Sequence, residues 1–131
     1  MQTDQASISV IVPTYNQGQF IEETLKSIIT QQGVTVQLIV IDGGSNDATL
    51  DVVKRYRSHI SYFVSEKDSG QSEAINKGLR VATGDIITWL NSDDRYRPGC
   101  LQKVARLFAA HPEMDIIHGK CTLFGEGIKP S

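Results

Sequence analysis

The chain has 131 residues, of which 40% are hydrophobic and 21% charged, and its net charge at pH 7 is −2. This length suits one domain with a hydrophobic core, and the slightly acidic balance argues against binding nucleic acid by phosphate neutralisation. No apolar run approaches the ~18 residues of a membrane span, and the polar N-terminus lacks the basic-then-apolar order of a signal peptide. Cys100 and Cys121 have no metal or redox spacing, so we expect free thiols and a cytoplasmic protein.

Apolar runs alternate with amphipathic stretches along the whole chain. They predict a strand at 8–12, a helix at 19–31, a strand at 36–41, a helix at 47–57, a strand at 60–65, a helix at 71–82, a strand at 86–90, a helix at 98–110 and a strand at 114–118. Pro13 should close the first strand, and Leu79 should point inward from the third helix. The run at 86–90 has the length and β-branched content of a buried strand. This alternation of strands and helices predicts an α/β protein with a mostly parallel sheet and helices on both faces.

Four predicted strands end in polar residues. These ends are at 14–16, 42–45, 66–68 and 91–94. Ligands of open α/β sheets bind outside the carboxyl ends of the strands, so this convergence predicts a functional edge. Taken alone, residues 91–94 are better explained as a solvated loop before a helix, and the convergence of the other strand ends shifts the balance toward a functional role.

The predicted edge is acidic, with carboxylates at Asp42, Asp68, Asp93 and Asp94. Adjacent carboxylates repel each other unless a cation lies beside them, and Mg²⁺ or Mn²⁺ binds one or two carboxylates together with phosphate oxygens and water. Asp42 has a second use, since it could accept hydrogen bonds from ribose hydroxyls or a uracil imide. Tyr15 suits stacking on a base and suits a half-buried loop position equally well. The glycine-rich phosphate loop of nucleoside triphosphatases and the dinucleotide fingerprint are both missing from the sequence.

Five motifs occur in a fixed order: VPTYN at 12–16, DGGSNDAT at 42–49, DSGQSEAINKG at 68–78, ATGD at 82–85 and WLNSDD at 89–94. In order and spacing they closely resemble the family 2 glycosyltransferases, over residues 8–124. The resemblance implies the GT-A fold, a Rossmann-like fold of nucleotide-diphospho-sugar transferases, here truncated. It also implies a flexible N-terminus at 1–7, a donor-binding domain at 8–124 and a tail at 125–131.

The resemblance implies an inverting transfer of a sugar from a nucleoside diphosphate sugar, with a UDP-sugar favoured, to an acceptor hydroxyl. The residues that match nucleotide-sugar-binding positions are Pro13, Thr14, Tyr15, Asn16, Asp42, Gly44, Asp68, Gly70, Asn76, Asn91 and Asp93. The metal, Mg²⁺ or Mn²⁺, would be held by Asp94 and Asp93. Asn91 occupies the position of the first acid in the family's Asp-x-Asp pattern. The negative charge at the metal would therefore come from Asp93 and Asp94.

The family's general base lies in the second half of its catalytic domain, so we expect it beyond Ser131. The chain would then be the donor-binding half of an enzyme of polysaccharide or cell-wall synthesis and could be inactive alone. Such enzymes act in the cytoplasm, often at the inner membrane face, and an exposed sheet edge here would allow a homodimer. Two alternatives remain: a non-catalytic nucleotide-sugar-binding module, and a nucleotidyltransferase of related fold. The second needs a basic loop after the first strand, and residues 17–19 contain no Lys or Arg.

Overall fold

The structure is a computed structural model that describes residues 6–111. Its elements are β1 (Ala6–Thr14), α1 (Ile21–Ile29), β2 (Val34–Asp42), α2 (Thr49–Arg55), a short 3-10 helix (Arg57–His59), β3 (Tyr62–Ser65), α3 (Gln71–Val81), β4 (Ile86–Trp89) and α4 (Cys100–Ala110). The predicted types and order are confirmed through α4, with ends that differ by a few residues. The strand predicted at 114–118 and the tail lie outside the described residues.

The four strands form one parallel sheet in the order β3-β2-β1-β4. The chain first adds β2 and β3 on one side of β1 and then crosses over to place β4 on the other side. The direction of winding therefore reverses between β1 and β4. In sheets of this kind a crevice opens at that reversal, outside the carboxyl ends of the strands.

Helices cover both faces of the sheet, as predicted. Ile8, Val10 and Val12 of β1 pack on one face with apolar residues of α1, α2 and α4, while Ile11 packs on the other face with Ala74 of α3. Because β1 and β2 are covered on both faces, their sequences are nearly continuous apolar runs rather than alternating ones.

The sequence had suggested that Pro13 closes the first strand, but Pro13 lies inside β1, which continues to Thr14. The Thr14 carbonyl accepts a hydrogen bond from Gly43 on the β2 side at 2.9 Å, and the Ile11 carbonyl accepts one from Leu90 on the β4 side at 2.9 Å. Because successive residues of a strand point to alternate sides, the Pro13 nitrogen faces the β4 side. The β1–β4 pairing has already ended there, so the missing N–H costs no hydrogen bond of the sheet.

Helix α3 approaches β1 through its small residues. A Cβ on the buried Gly78 would lie only 2.5 Å from Cγ2 of Ile11. The predicted inward position of Leu79 is wrong, since its side chain is 47% exposed. Hydrophobic periodicity selects the larger side chain as the buried one, but the close approach of helix and strand turns the smaller residues inward.

Strand β4 is an edge of the described sheet, and the prediction that it is buried is wrong for one of its faces. Ile87 is 45% exposed and Trp89 is 56% exposed, whereas Ile86 is half-buried against the core beneath α1. Among residues 6–111, β4 pairs only with β1. On the face that Trp89 shares with its register partner Ile11, α3 packs over β1 and β2 and leaves β4 open to solvent. Within residues 6–111, no helix has both the length and the apolarity needed to cross a membrane.

Candidate functional site

The loops after β1 and β2 are joined by hydrogen bonds into one surface. Asn16, which has a positive φ of 50°, donates its backbone N–H to Ser45 Oγ at 2.8 Å. Its Oδ1 accepts the backbone N–H of Asn46 at 2.9 Å. Two strand ends that are far apart in sequence therefore form a single edge, as predicted.

Asp42 is fully buried at the end of β2. Its Oδ2 accepts the backbone N–H groups of Gly44 and Ser45 at 3.0 and 2.8 Å and the Ser65 hydroxyl at 2.7 Å. Its Oδ1 accepts the Ser45 hydroxyl at 2.5 Å. The carboxylate thus presents no surface to a ligand, and a contact with base or ribose would require the turn at 43–45 to open. In this arrangement Asp42 holds that turn and ties it to β3.

Asp68 places its carboxylate over the same turn. Its Oδ1 accepts the backbone N–H of Gly70 at 3.1 Å and lies 2.8 Å from the position that a Cβ on Gly43 would occupy. A side chain at position 43 would therefore push the Asp68 carboxylate away from its place over the turn. The loop after β3 joins the edge in this way, with the exposed Gly70 immediately before α3.

The loop after β4 is connected to the start of α3 through Asn91. The Gln71 amide donates a hydrogen bond to Asn91 Oδ1, so the Asn91 carbonyl oxygen is already engaged. The Asn91 side chain also lies close enough to Asp94 to lower the pKa of its carboxyl group. All four strand ends are linked along one edge by these contacts.

Asp93 and Asp94 are both exposed at this edge. Partial burial, and next the charge of Asp93, raise the pKa of Asp94, while the hydrogen bond from Asn91 lowers it. A cation bound beside two neighbouring carboxylates would stabilise their charged forms. Within residues 6–111 no three His, Cys, Asp or Glu side chains surround a common point. A cation here would need ligand oxygens and water beside the two carboxylates.

The other predicted contact residues differ in exposure. Pro13 and Thr14 are buried, and Thr14 Oγ1 has no hydrogen-bond partner among the described residues. Tyr15 is 57% exposed beside them, so its ring is accessible for stacking. Gly44 is exposed with a positive φ of 93°, and Asn76 is exposed on α3, more than one turn beyond the edge.

One cavity lies beside Asp93 and Asp94, and another lies away from them. A cavity of about 80 Å³ beside the two acids lies against the start of α1, and its lining residues are Gln19, Phe20, Glu23, Thr24, Asp93, Asp94 and Arg95. It is far smaller than the ~300 Å³ of an ordinary small-molecule pocket, so a large ligand would have to lie across the open edge. A second cavity of about 200 Å³ lies near the other end of β2, between α1 and the 3-10 helix, and is lined mainly by apolar side chains.

Sequence reasoning missed the side chains that support the edge, among them Ser45, Thr24 and Gln31. Ser45 bridges the first two loops. Thr24 in α1 and Gln31 just past its end bind the backbone after β4. A signal was present in the sequence, since polar residues recur at positions 24, 27 and 31 of the helix predicted at 19–31, beside its apolar stripe. Polar residues on a helix flank are usually solvated, so the signal alone is weak.

Fold and site together define an α/β protein with an open parallel sheet and acidic residues at its carboxyl edge. The model of the glycosyl transferase family 2 matches residues 9–127, and the chain belongs to this family. The resemblance read from the motifs is thus confirmed. Among its curated relatives is the poly(ribitol-phosphate) β-N-acetylglucosaminyltransferase TarP of Staphylococcus aureus. The two are 31% identical over 125 residues, which are 92% of this chain and 38% of TarP.

Solved structures agree with the fold. Residues 1–349 of Staphylococcus aureus TarS in complex with UDP-GlcNAc match with a TM-score of 0.74 and 30% identity, over 81% of this chain and 32% of that solved fragment. The mannosyltransferase PcManGT of Pyrobaculum calidifontis, solved with GDP-Man and Mn²⁺, matches with a TM-score of 0.73 and 30% identity, over 82% of this chain and 33% of that enzyme. The predicted GT-A fold is confirmed. The chain spans about a third of the length of TarP, of TarS 1–349 and of PcManGT.

Proposed function

We propose that this chain binds the nucleoside diphosphate of a sugar donor, a UDP-sugar by preference, as the donor-binding part of a metal-dependent, inverting glycosyltransferase. The convergence of four strand ends beside an exposed pair of adjacent carboxylates is the observation that carries the proposal. TarS is solved with UDP-GlcNAc and PcManGT with GDP-Man, which supports a nucleotide sugar as the class of donor.

The donor would lie across the carboxyl edge, over the reversal between β1 and β4. Tyr15 is placed to stack on the base from its exposed loop. Pro13, Thr14 and Asn16 would line the nucleoside, and the unpartnered Thr14 Oγ1 supports this, because buried polar atoms normally find a partner. Asp42 would act through the turn that it holds.

Further along the edge, the diphosphate and donor sugar would lie near the loop after β3 and the start of α3. Asp68 and Gly70 belong to that loop, and Gly44 adjoins it, since a Cβ there would lie 3.4 Å from the backbone of Lys67. Asn76 would contribute from α3 only if the donor sugar reaches past its first turn. These four contacts are predictions that substitution can test one at a time.

The two acids fit a hard divalent cation. Mg²⁺ and Mn²⁺ prefer oxygen ligands and keep several waters and phosphate oxygens, so Asp93 and Asp94 would suffice from the protein side. Asn91 would orient Asp94 through its amide rather than bind the ion. The ion would stabilise negative charge on the departing diphosphate as a Lewis acid. The base that deprotonates the acceptor hydroxyl is proposed to lie in further sequence.

Titration calorimetry with UDP and GDP, in Mn²⁺ and in EDTA, tests the proposal on this chain. UDP should bind in Mn²⁺ and at least tenfold more weakly in EDTA, since losing even an outer-shell partner costs about tenfold in metal affinity. Asp94→Asn should weaken binding in Mn²⁺ by a similar factor. Asp85→Asn is the matched control, because Asp85 is also exposed but precedes β4 at the opposite end of the strand.

Two results would refute the proposal: no binding of either nucleotide, or an Asp94→Asn variant that binds as tightly as the wild type. Release of UDP from UDP-GlcNAc, measured for this chain and for any longer form of the protein, separates an enzyme from a non-catalytic module. Tight binding with no release and no transfer by any form would favour the module.

A further inference from the structure

Helix α1 and the turn that follows it support the chain after β4 with three polar side chains. Thr24 and Ser27 lie in α1 and Gln31 lies just past its end, all on the side that meets residues 92–101. The Ser27 hydroxyl accepts the backbone N–H of Tyr96 at 3.0 Å. Gln31 donates to the Arg97 carbonyl at 2.8 Å and accepts the N–H of residue 101 at 2.9 Å.

The loop needs this support because it forms neither helix nor strand between β4 and α4. Backbone N–H and C=O groups that have no secondary-structure partner must bind side chains or water. Here a neighbouring helix supplies the partners, so the loop's path is set by α1 rather than by its own sequence. Asp93 and Asp94 belong to this loop, so its path determines where their carboxylates lie.

Thr24 has the most direct connection to the pair. It is 1% exposed, and its Oγ1 lies 2.9 Å from the Ser92 carbonyl oxygen and 2.5 Å from the Asp94 carbonyl oxygen. A hydroxyl has one proton to donate, so the two carbonyls share it and are drawn to one point. The Asp94 N–H closes the same turn by donating to the Asn91 carbonyl at 3.0 Å.

We propose that Thr24 is a positioning residue for the metal-binding pair. Its shared hydroxyl fixes the backbone on both sides of Asp93, and thereby sets the distance and direction between the two neighbouring carboxylates. The role rests on the proposed function, because it assigns Thr24 to the cation that Asp93 and Asp94 would hold. Thr24 itself touches neither cation nor donor.

Thr24→Val and Thr24→Ser form the test, since valine keeps the shape without the hydroxyl and serine keeps the hydroxyl. The matched control is Thr30→Val, because the Thr30 hydroxyl lies on the same helical stretch but bonds only to the Lys26 carbonyl, at 2.8 Å. Mn²⁺ affinity is measured by electron paramagnetic resonance in the presence of UDP, at a temperature where every variant is folded. We expect about tenfold weaker Mn²⁺ binding for Thr24→Val, and binding within about twofold of wild type for the other two variants.

Amide hydrogen exchange gives a second reading that needs no metal. The Asp94 amide should exchange at least about tenfold faster in Thr24→Val, while the Ala74 amide in α3 keeps its wild-type rate. Wild-type Mn²⁺ affinity, or unchanged Asp94 exchange, in Thr24→Val would overturn the inference. If the wild type itself binds no Mn²⁺, the proposed function fails, and the exchange rates alone then support or overturn the positioning of the turn by Thr24.

Discussion

Replacing Asp42 with alanine would remove the acceptor of four hydrogen bonds from a fully buried position. The main cost comes from the two buried donors of Ser45, its backbone N–H and its hydroxyl. Each buried donor left unsatisfied costs about 1–3 kcal/mol, so the pair costs about 4 kcal/mol. Gly44 and Ser65 are exposed residues whose donors can turn to water, and they add little.

Asp42→Asn separates the loss of charge from the loss of acceptors. The amide oxygen can take the position of Oδ2 and keep its three bonds, and the amide nitrogen can donate to the Ser45 hydroxyl. Because bonds to a neutral acceptor are weaker than bonds to a charged one, we expect a loss of about 1–2 kcal/mol. The asparagine variant should therefore stay folded and remain usable in binding measurements.

Urea unfolding measures both effects. With a slope of about 2 kcal/mol/M, the alanine variant should lose ~2 M from its unfolding midpoint and the asparagine variant below ~1 M. Asp85→Ala, at an exposed aspartate, should change the free energy of unfolding by less than about 0.5 kcal/mol. Asp42→Asn should bind UDP within about threefold of the wild type, because the buried carboxylate offers no surface. Wild-type stability together with tenfold or greater loss of UDP affinity would refute this reasoning and restore a direct contact with the nucleotide.

Three further predictions concern packing and charge. Gly78→Ala should lower the free energy of unfolding by about 1–2 kcal/mol, because the new Cβ meets Ile11 and this outweighs the gain in helix propensity; an unchanged urea midpoint would contradict it. Gln31→Leu leaves the Arg97 carbonyl and the Leu101 N–H without their side-chain partner. It should lower the free energy of unfolding by about 2–3 kcal/mol in the same urea assay, and a stabilised variant would argue against these two hydrogen bonds. The Tyr56 hydroxyl donates a hydrogen bond to Glu22 at 2.6 Å and lowers the pKa of Glu22. The bond therefore stabilises the fold fully at pH values above the pKa that Glu22 has in the unfolded chain. This stabilisation is lost as the pH falls through the lower pKa of Glu22 in the folded protein. Tyr56→Phe should raise that pKa toward its ordinary value in an NMR titration, and a pKa that stays depressed would show that another group is responsible.

The elements and the edge were readable from the sequence because both depend on local signals. Strands covered on both faces are continuous apolar runs, and polar residues immediately after such runs must lie at the carboxyl edge of a parallel sheet. The exposed Asp93 and Asp94 and the accessible ring of Tyr15 lie where this reasoning puts them. Whether they bind a donor and a metal remains a prediction.

Contacts between distant parts of the chain decided which face of its helix or strand each residue occupies and which residues it contacts. Within residues 6–111, Trp89 is exposed because α3 packs over β1 and β2 and not over β4. Leu79 is exposed because the helix approaches β1 through the neighbouring Gly78. The hydrophobic periodicity of the sequence predicts neither of these exposures.

The local sequence thus specified the fold class, the family and the edge at which a ligand would bind, since hydrophobic patterning and motif order act over a few residues. The tertiary structure alone assigned the roles within that edge. It buried Asp42 in its own turn, and it set Thr24 of α1 against Asp94, 70 residues further along the chain. A hydrogen bond over that separation forms only after the sheet has brought α1 and the β4 loop together, so no local pattern predicts it.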